Sequence, residues 1–372
     1  MQKSFDIALV LDRQTEEQFL EVPSYIYKND PNWIPHLKQD IEKIFDEKQN
    51  KLLRDGKANR WILYDESKKA VGRIAAFINA KTSYTFDQPT GGIGFFECTD
   101  DQEMADALFN KAKAWLEENS MEAMDGPINF GDKNQFWGLL VENFDSPNSY
   151  AMNYNPPYYR KLFENYGFKT YYEQYVYWRN IRQPVEPVFV RKFESVKSNY
   201  NVEVRDATKM SLEQIASDFR TVYNGAWGGH ENFKMMSESA AMKVAKSLKP
   251  IMDKRIVVFA YAEDIPVGFY INIPELNEIF CYVNGNLNWM GKLKFLYHKW
   301  RKTPRTMVGI VFGVVKEWQG KGIEGAMITW FGYHQVPKLN YDSTILTWIG
   351  DFNPKMIKVA TNLGTTVHRT YI

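Results

Sequence analysis

Residues 318–328 read WQGKGIEGAMI. Gly320, Gly322 and Gly325 spell G-x-G-x-x-G, and Gln319 ahead of them gives Q-x-x-G, a second kind of phosphate loop. Both patterns point to anion binding. Glycines let successive backbone N–H groups turn into one concavity, and the start of the following helix adds partial positive charge. Lys321 brings a full charge to the same place.

The two patterns call for different surroundings. A dinucleotide fold wants the strand to run straight into the first glycine, with an acid some way beyond for the ribose. Asp342 is suitably placed, but Lys316, Glu317, Trp318 and Gln319 separate the apolar strand from Gly320. Only one strand, one short helix and one more strand are expected after the loop, too little for a doubly wound sheet. A Walker loop would need glycine at Val315 and a hydroxyl residue at Gly322. The diphosphate loop Gln319-Gly320-Lys321-Gly322-Ile323-Glu324 is the reading that survives.

The elements that would carry this loop recur twice. WILYDESKKAVGRIAAFIN (61–79) and VVFAYAEDIPVGFYINI (257–273) both read strand, polar turn, Val-Gly, strand. GGIGFFE (91–97) and MVGIVFGVV (307–315) supply a further strand each, followed by helices over 105–119 and 324–336. NPPYYRKLFENYGF (155–168) and NPKMIKVATNLGTT (353–366) each open a helix at Asn-Pro and close it at glycine, Gly167 and Gly364. The chain therefore reads as a duplicated α/β unit, an α+β mixed sheet in each copy. Pro184 and Pro187 break regular structure between them, and a helix restarts over 188–197. The expected domains are 1–185 and 200–372.

Strand 307–315, the loop at 319–325 and the helix after Asn353 together resemble the GNAT superfamily of acyl-CoA N-acyltransferases, whose pyrophosphate loop is Arg/Gln-x-x-Gly-x-Gly/Ala. The resemblance covers both halves as two tandem GNAT-like folds, an arrangement shared with N-myristoyltransferases and peptidoglycan aminoacyltransferases. VPSYIYKNDPNWIPHL (22–37), GRIAAFIN (72–79), YNPPYYRKLFENYGF (154–168) and PVGFYINIPELNE (266–278) resemble a bacterial group of two-domain GNAT-like proteins. It implies acetyl-CoA or another acyl-CoA as co-substrate and direct attack on the thioester by an amine acceptor, a small molecule or a peptide. It places Asn353 beside the pantetheine arm and offers backbone groups of Val314 and Val315 to the thioester. The sequence departs from the pattern at Glu324, where Gly or Ala is usual. It also has Ala360 where many members carry a tyrosine acid, and no acid on the strand before the loop. A CoA-binding protein without catalysis, or an aminoacyl-type transferase, are the alternatives. In the first half, Asp100, Asp101 and Glu103 occupy the corresponding loop. They cap a helix and repel an anion, so this half is expected not to bind CoA.

Other residues of suitable chemistry are scattered. NGAWGGHENFKMMS (224–237) carries His230 and Glu231 as candidate titrating groups, and Gly225 and Gly228 suggest a bent loop there. Asp351 is a candidate base or a plain helix cap. Tyr154, Tyr158 and Tyr159 are candidate acceptor contacts. Glu275 and Asn277, in PELNE, are acceptor contacts or a polar turn. GKLKFLYHKWRKTPR (291–305) is basic with interleaved aromatics and reads as a solvated amphipathic helix, or as a contact for an acidic or lipid-like partner. The five histidines form no metal-ligand spacing, so no metal is expected. A net charge of +1 argues against a general grip on nucleic acid. Two cysteines, no leader-like N-terminus, and a longest apolar run of 307–315 suit a cytoplasmic protein with no integral membrane segment.

Overall fold

The structure is a computed structural model and describes residues 5–85, 87–131, 133–228 and 234–372. The chain divides into two compact units. One runs through Gln174 and takes in Ile279–His298 and Arg369–Ile372; the other comprises Tyr175–Glu278 and Lys299–His368.

Unit 1 is built from β1 (Asp6–Leu9), α1 (Arg13–Ile26), α2 (Lys38–Phe45), β2 (Lys57–Tyr64), β3 (Ala70–Ile78), β4 (Thr90–Cys98), α3 (Gln102–Glu118), β5 (Ala123–Asp125) and α4 (Tyr159–Tyr166). Its sheet runs β1-β2-β3-β4-β5, antiparallel except for the parallel pair β4–β5. Much of the aromatic content is spent here. Phe109 stacks on Phe96 at 4.6 Å and meets Phe163 edge-on at 4.8 Å. Such pairs add about 1 kcal/mol each beyond simple burial. Asp101 caps α3 by accepting from the amides of Glu103 and Met104, as acids at a helix start should. Asn155 behaves otherwise than expected: its side chain binds both backbone groups of Leu140, at 2.8 and 3.0 Å, and α4 opens only at Tyr159. Gly167 then ends α4 at φ +115°, a conformation that favours glycine.

After these come β6 (Gln174–Asn180), α5 (Pro187–Asn199), β7 (Val202–Asp206), α6 (Leu212–Trp227), α7 (Glu238–Leu248), β8 (Val257–Ala262), β9 (Ile265–Pro274), α8 (Asn277–Phe280), α9 (Trp289–Trp300), β10 (Thr306–Val314), α10 (Ile323–Trp330), β11 (Ser343–Gly350), α11 (Pro354–Asn362) and β12 (Thr366–Tyr371). The second sheet runs β12-β6-β11-β10-β9-β8-β7. Its inner strand β8 is apolar and buried throughout, as a strand covered on both faces must be. One local reading changes. Gly225 lies inside α6 rather than in a bent loop, because a Cβ there would come within 2.7 Å of Val315. The glycine lets the helix approach the end of β10. His230 and Glu231 lie outside the described residues.

Candidate functional site

β10 pairs in parallel with β11 over four residues, from Thr306↔Ser343 to Gly309↔Leu346. On its other side β10 stays paired with β9 to Val314, with a bulge between Gly309 and Val311. The bulge bends the strand, and past Gly309 β10 and β11 part company. Thr347 Oγ1 reaches back across the gap to the Gly309 carbonyl at 3.2 Å.

The gap is the floor of a cavity of about 350 Å³. Val311 and Phe312 line it from β10, and Leu346, Trp348 and Ile349 from β11. Ile328 closes it from α10 and Phe331 from the turn that follows. Met356, Val359 and Ala360 close it from α11. The wall is mostly apolar, with a few polar groups. Tyr270 is partly buried, and the loss of water around its hydroxyl pushes it up to about 12, so it stays protonated at neutral pH. Trp348 Nε1 is buried and finds no acceptor among the described residues. An unmatched buried donor is costly, and a ligand oxygen would relieve it. Glu186, just before α5, and Arg179, on β6, also line the cavity and pair at 3.4 Å. Sequence reasoning missed both. They lie in and beside the proline-broken connection, far in sequence from the phosphate loop.

The phosphate loop stands at the start of α10. Gly320 and Gly322 both have left-handed backbones, φ +76° and +94°. Among the described residues no side chain caps α10, so its first-turn amides have no capping partner; Ile323 and Gly325 are buried there and Glu324 is half-buried. Gln319 ties the loop to the strand through Nε2 to the Val314 carbonyl at 3.0 Å. Lys321 Nζ rests over the Trp318 ring at 4.7 Å, leaving its ammonium beside the loop. Gly325 is required by packing, since a Cβ there would come within 2.5 Å of the Lys192 side chain on α5.

The other sequence candidates fall in different places. Asn353 lines the cavity and caps α11, accepting from the Met356 amide at 3.3 Å. Val314 and Val315 have backbone groups already in use: the Val314 carbonyl holds Gln319, and the Val315 amide donates to Val267 at 2.9 Å. Asp351 is exposed in the turn before Asn353 and is not part of the cavity wall. Glu275 and Asn277 are buried in a turn in which Glu275 Oε1 accepts from the Asn277 amide at 3.0 Å, away from the cavity wall. Tyr154, Tyr158 and Tyr159 belong to unit 1, where their hydroxyls are held by Asp30, by the Cys98 carbonyl and by Glu97. Those bonds give the three tyrosines structural work.

Unit 1 has a polar cluster that sequence reasoning also missed. Glu97 is buried and accepts from Tyr27 at 2.7 Å, Tyr159 at 2.8 Å and Arg73 at 3.3 Å. Burial raises the Glu97 carboxyl and lowers the Arg73 guanidinium. Nearby His36 is pushed down to about 4 by burial and by the charge of Arg73. Among the described residues no group of His, Cys, Asp and Glu could hold a metal ion, and no helix is long and apolar enough to cross a membrane.

No protein-family model matches the chain. It is 25% identical over 371 residues to protein YghO of Escherichia coli, covering 97% of this chain and 92% of that one. It is also 25% identical over 363 residues to a bacterial ceramide synthase of Caulobacter vibrioides, covering 95% and 93%. Among solved structures, 99% of the chain superposes on a GCN5-related glucosamine N-acetyltransferase region of a fungal multi-domain β-N-acetylglucosaminidase, at TM-score 0.54 and 10% identity; the chain spans 37% of that larger protein. A tandem GNAT protein from the clavulanic acid biosynthesis pathway matches over 99% of this chain and 97% of its own, at TM-score 0.50 and 10% identity. With its two mixed sheets of five and seven strands, the chain has the fold of a tandem GNAT-like protein.

Proposed function

We propose that unit 2 transfers an acyl group from an acyl-CoA to a primary amine that carries a hydrocarbon chain. The observation that carries this is the apolar cavity in the gap between β10 and β11, flanked by α10, whose N-terminus is uncapped. The donor set fits acyl-CoA. Left-handed glycines, an uncapped helix start and Lys321 suit a diphosphate, and the orphaned Trp348 Nε1 suits a polar atom of the pantetheine or thioester. A cavity of this size is more than an acetyl group needs. The name of the Caulobacter relative supports the same chemistry, since a ceramide is the N-acylated form of a long-chain amine.

In this reading the amine nitrogen attacks the thioester carbon, the C–N bond forms and the C–S bond breaks. The thiolate leaves readily, which makes the missing tyrosine at Ala360 tolerable. The amine must shed a proton, and Glu186 is the carboxylate in the cavity wall that can take it. The orphaned Trp348 Nε1–H is the donor at hand to polarise the carbonyl. The chain's other candidates, Asp351 and the residues at 230–231, are alternatives for the base.

The test is thiol release from acetyl-, octanoyl- and palmitoyl-CoA, with and without dihydrosphingosine or a long-chain alkylamine, together with calorimetric titration of each acyl-CoA. Release that needs both partners and favours the longer chains is the expected result. Binding without release would reduce the protein to an acyl-CoA carrier, and no binding at any length would remove the proposal.

A further inference from the structure

Helix α9 faces solvent with the wrong side for an ordinary surface helix. Trp289 is 70% exposed, Leu293 and Leu296 are each 58%, and Trp300 is 78%; Gly291 is its one buried residue. At about 100° per residue these four side chains fall within an arc of roughly 60°, which Met290 and Tyr297 widen to about 120°. Met290 and Tyr297 are also about half exposed. The opposite side holds the helix down: Phe295 stacks on Phe280 at 5.7 Å, and His298 on Tyr282 at 3.9 Å. Gly291 allows the close approach, since a Cβ there would come within 2.2 Å of the Asn286 carbonyl.

Charge borders the apolar arc on both sides. On the same helical wheel Lys292 and Lys299 flank one edge and Lys294 the other. From Trp289 to Lys302 the chain carries Lys292, Lys294, Lys299, Arg301 and Lys302 and no Asp or Glu. An exposed apolar patch of this kind marks an interaction surface. Its chemistry selects the partner. Protein interfaces are depleted of lysine. An apolar stripe of Trp, Leu, Met and Tyr rimmed by lysines is what an anionic bilayer surface takes up, the rings settling at headgroup level and the lysines meeting phosphate.

We propose that α9 docks the protein on anionic lipid bilayers, lying in the interface with Trp289, Leu293, Leu296 and Trp300 inserted. The idea is independent of the acyltransferase reading. The two meet in one point: an acceptor with a hydrocarbon chain resides in a membrane.

The experiment is flotation of the full-length protein with vesicles of phosphatidylcholine alone and of phosphatidylcholine with about one-third phosphatidylglycerol, at low and high salt. The expected result is binding to the anionic vesicles, weakened by salt, with little binding to the neutral ones. Trp289→Ser with Trp300→Ser should cut partitioning at least tenfold. Lys292→Glu with Lys294→Glu should cut it about thirtyfold or more on anionic vesicles, each basic residue near such a surface being worth roughly a factor of five. Circular dichroism of both variants checks that they fold. Absence of binding to either vesicle overturns the proposal, as does binding that both folded variants retain. A wild-type dimer that the tryptophan variant turns into monomer, with no vesicle binding, would assign the face to a second copy of the chain instead. Vesicle binding is read without substrate, so its failure and that of acyl transfer are separate outcomes.

Discussion

Replacing Gly320 isolates the electrostatics of the phosphate loop. Its φ of +76° restricts side chains, but among the described residues nothing lies within 4 Å of where a Cβ would stand. Asp and Asn are among the residues that best tolerate that backbone region, and they differ by one charge. Gly320→Asp and Gly320→Asn should therefore fold equally well, and any difference in CoA affinity is charge alone. An Asp carboxylate on this residue would stand about 5 Å from a diphosphate seated on the neighbouring amides. Gly320 and its neighbours Gln319 and Lys321 are exposed, so the water limit applies: about 0.8 kcal/mol for each unit charge, or about 1.7 kcal/mol for two. That is a roughly fifteen- to twentyfold loss of affinity at low ionic strength. With a Debye length of about 8 Å at physiological salt the loss shrinks to about fivefold. Calorimetric titration of acetyl-CoA into the three proteins, at two salt concentrations, measures all of this. Gly320→Asn should bind close to wild type, and Gly320→Asp more weakly, with a penalty that salt relieves. Equal affinities for Asp and Asn would refute the reasoning, because a diphosphate on these amides cannot ignore the charge.

Two further perturbations follow from the structure. Glu186→Gln should lower the rate of acyl transfer about a hundredfold or more, leave acyl-CoA affinity within a few-fold, and remove the acidic limb of the pH–rate profile; an unchanged profile would move the base elsewhere. For His36, the imidazole is held at about 4 in the folded protein against an ordinary 6.5. The folded pKa is depressed, so the unfolded chain binds the extra proton first. Its contribution is complete above 6.5 and is lost as pH falls through that value toward 4. Between pH 7 and pH 5 the loss should be about 2 kcal/mol in urea unfolding, and His36→Gln should flatten it; an equal slope in the variant would show that other groups carry it.

The strand-and-helix skeleton was legible because its signals are local. The two Val-Gly hairpins, the Asn-Pro and glycine boundaries of α11 and the glycine loop all follow from turn chemistry and period-two patterning. What escaped was long-range. Glu97 reads as one more strand residue until Tyr27, Arg73 and Tyr159 converge on it from distances of 70, 24 and 62 residues. Arg179 and Glu186 joined the cavity because β6 enters the sheet beside β11, a pairing no local pattern reveals. Tyr154, Tyr158 and Tyr159 are ambiguous in sequence because aromatic residues serve cores and binding sites alike. Their hydroxyl partners, Asp30, the Cys98 carbonyl and Glu97, are invisible there. Gly225 looked like a loop residue because glycine breaks isolated helices. In α6 the close approach to Val315 outweighs that cost.

The two helix starts also explain why one duplicated plan can serve two ends. A helix N-terminus has a fixed set of unsatisfied amides, and capping and anion binding are competing uses of it. At α3 Asp101 takes two of them, from Glu103 at 2.9 Å and Met104 at 3.2 Å, and Asp100 and Glu103 add further negative charge. That arrangement stabilises the helix by about 1 kcal/mol and puts negative charge where an anion would sit. At α10 the capping position is Gly322, which has no side chain to offer, and the helix start forgoes that stabilisation. A helix left uncapped beside a lysine and an apolar cavity gives up local stability in a way that a bound anion can restore. By this argument the two helix starts differ in the respect that matters for an anion: at α3 the residue before the helix caps it, and at α10 it does not.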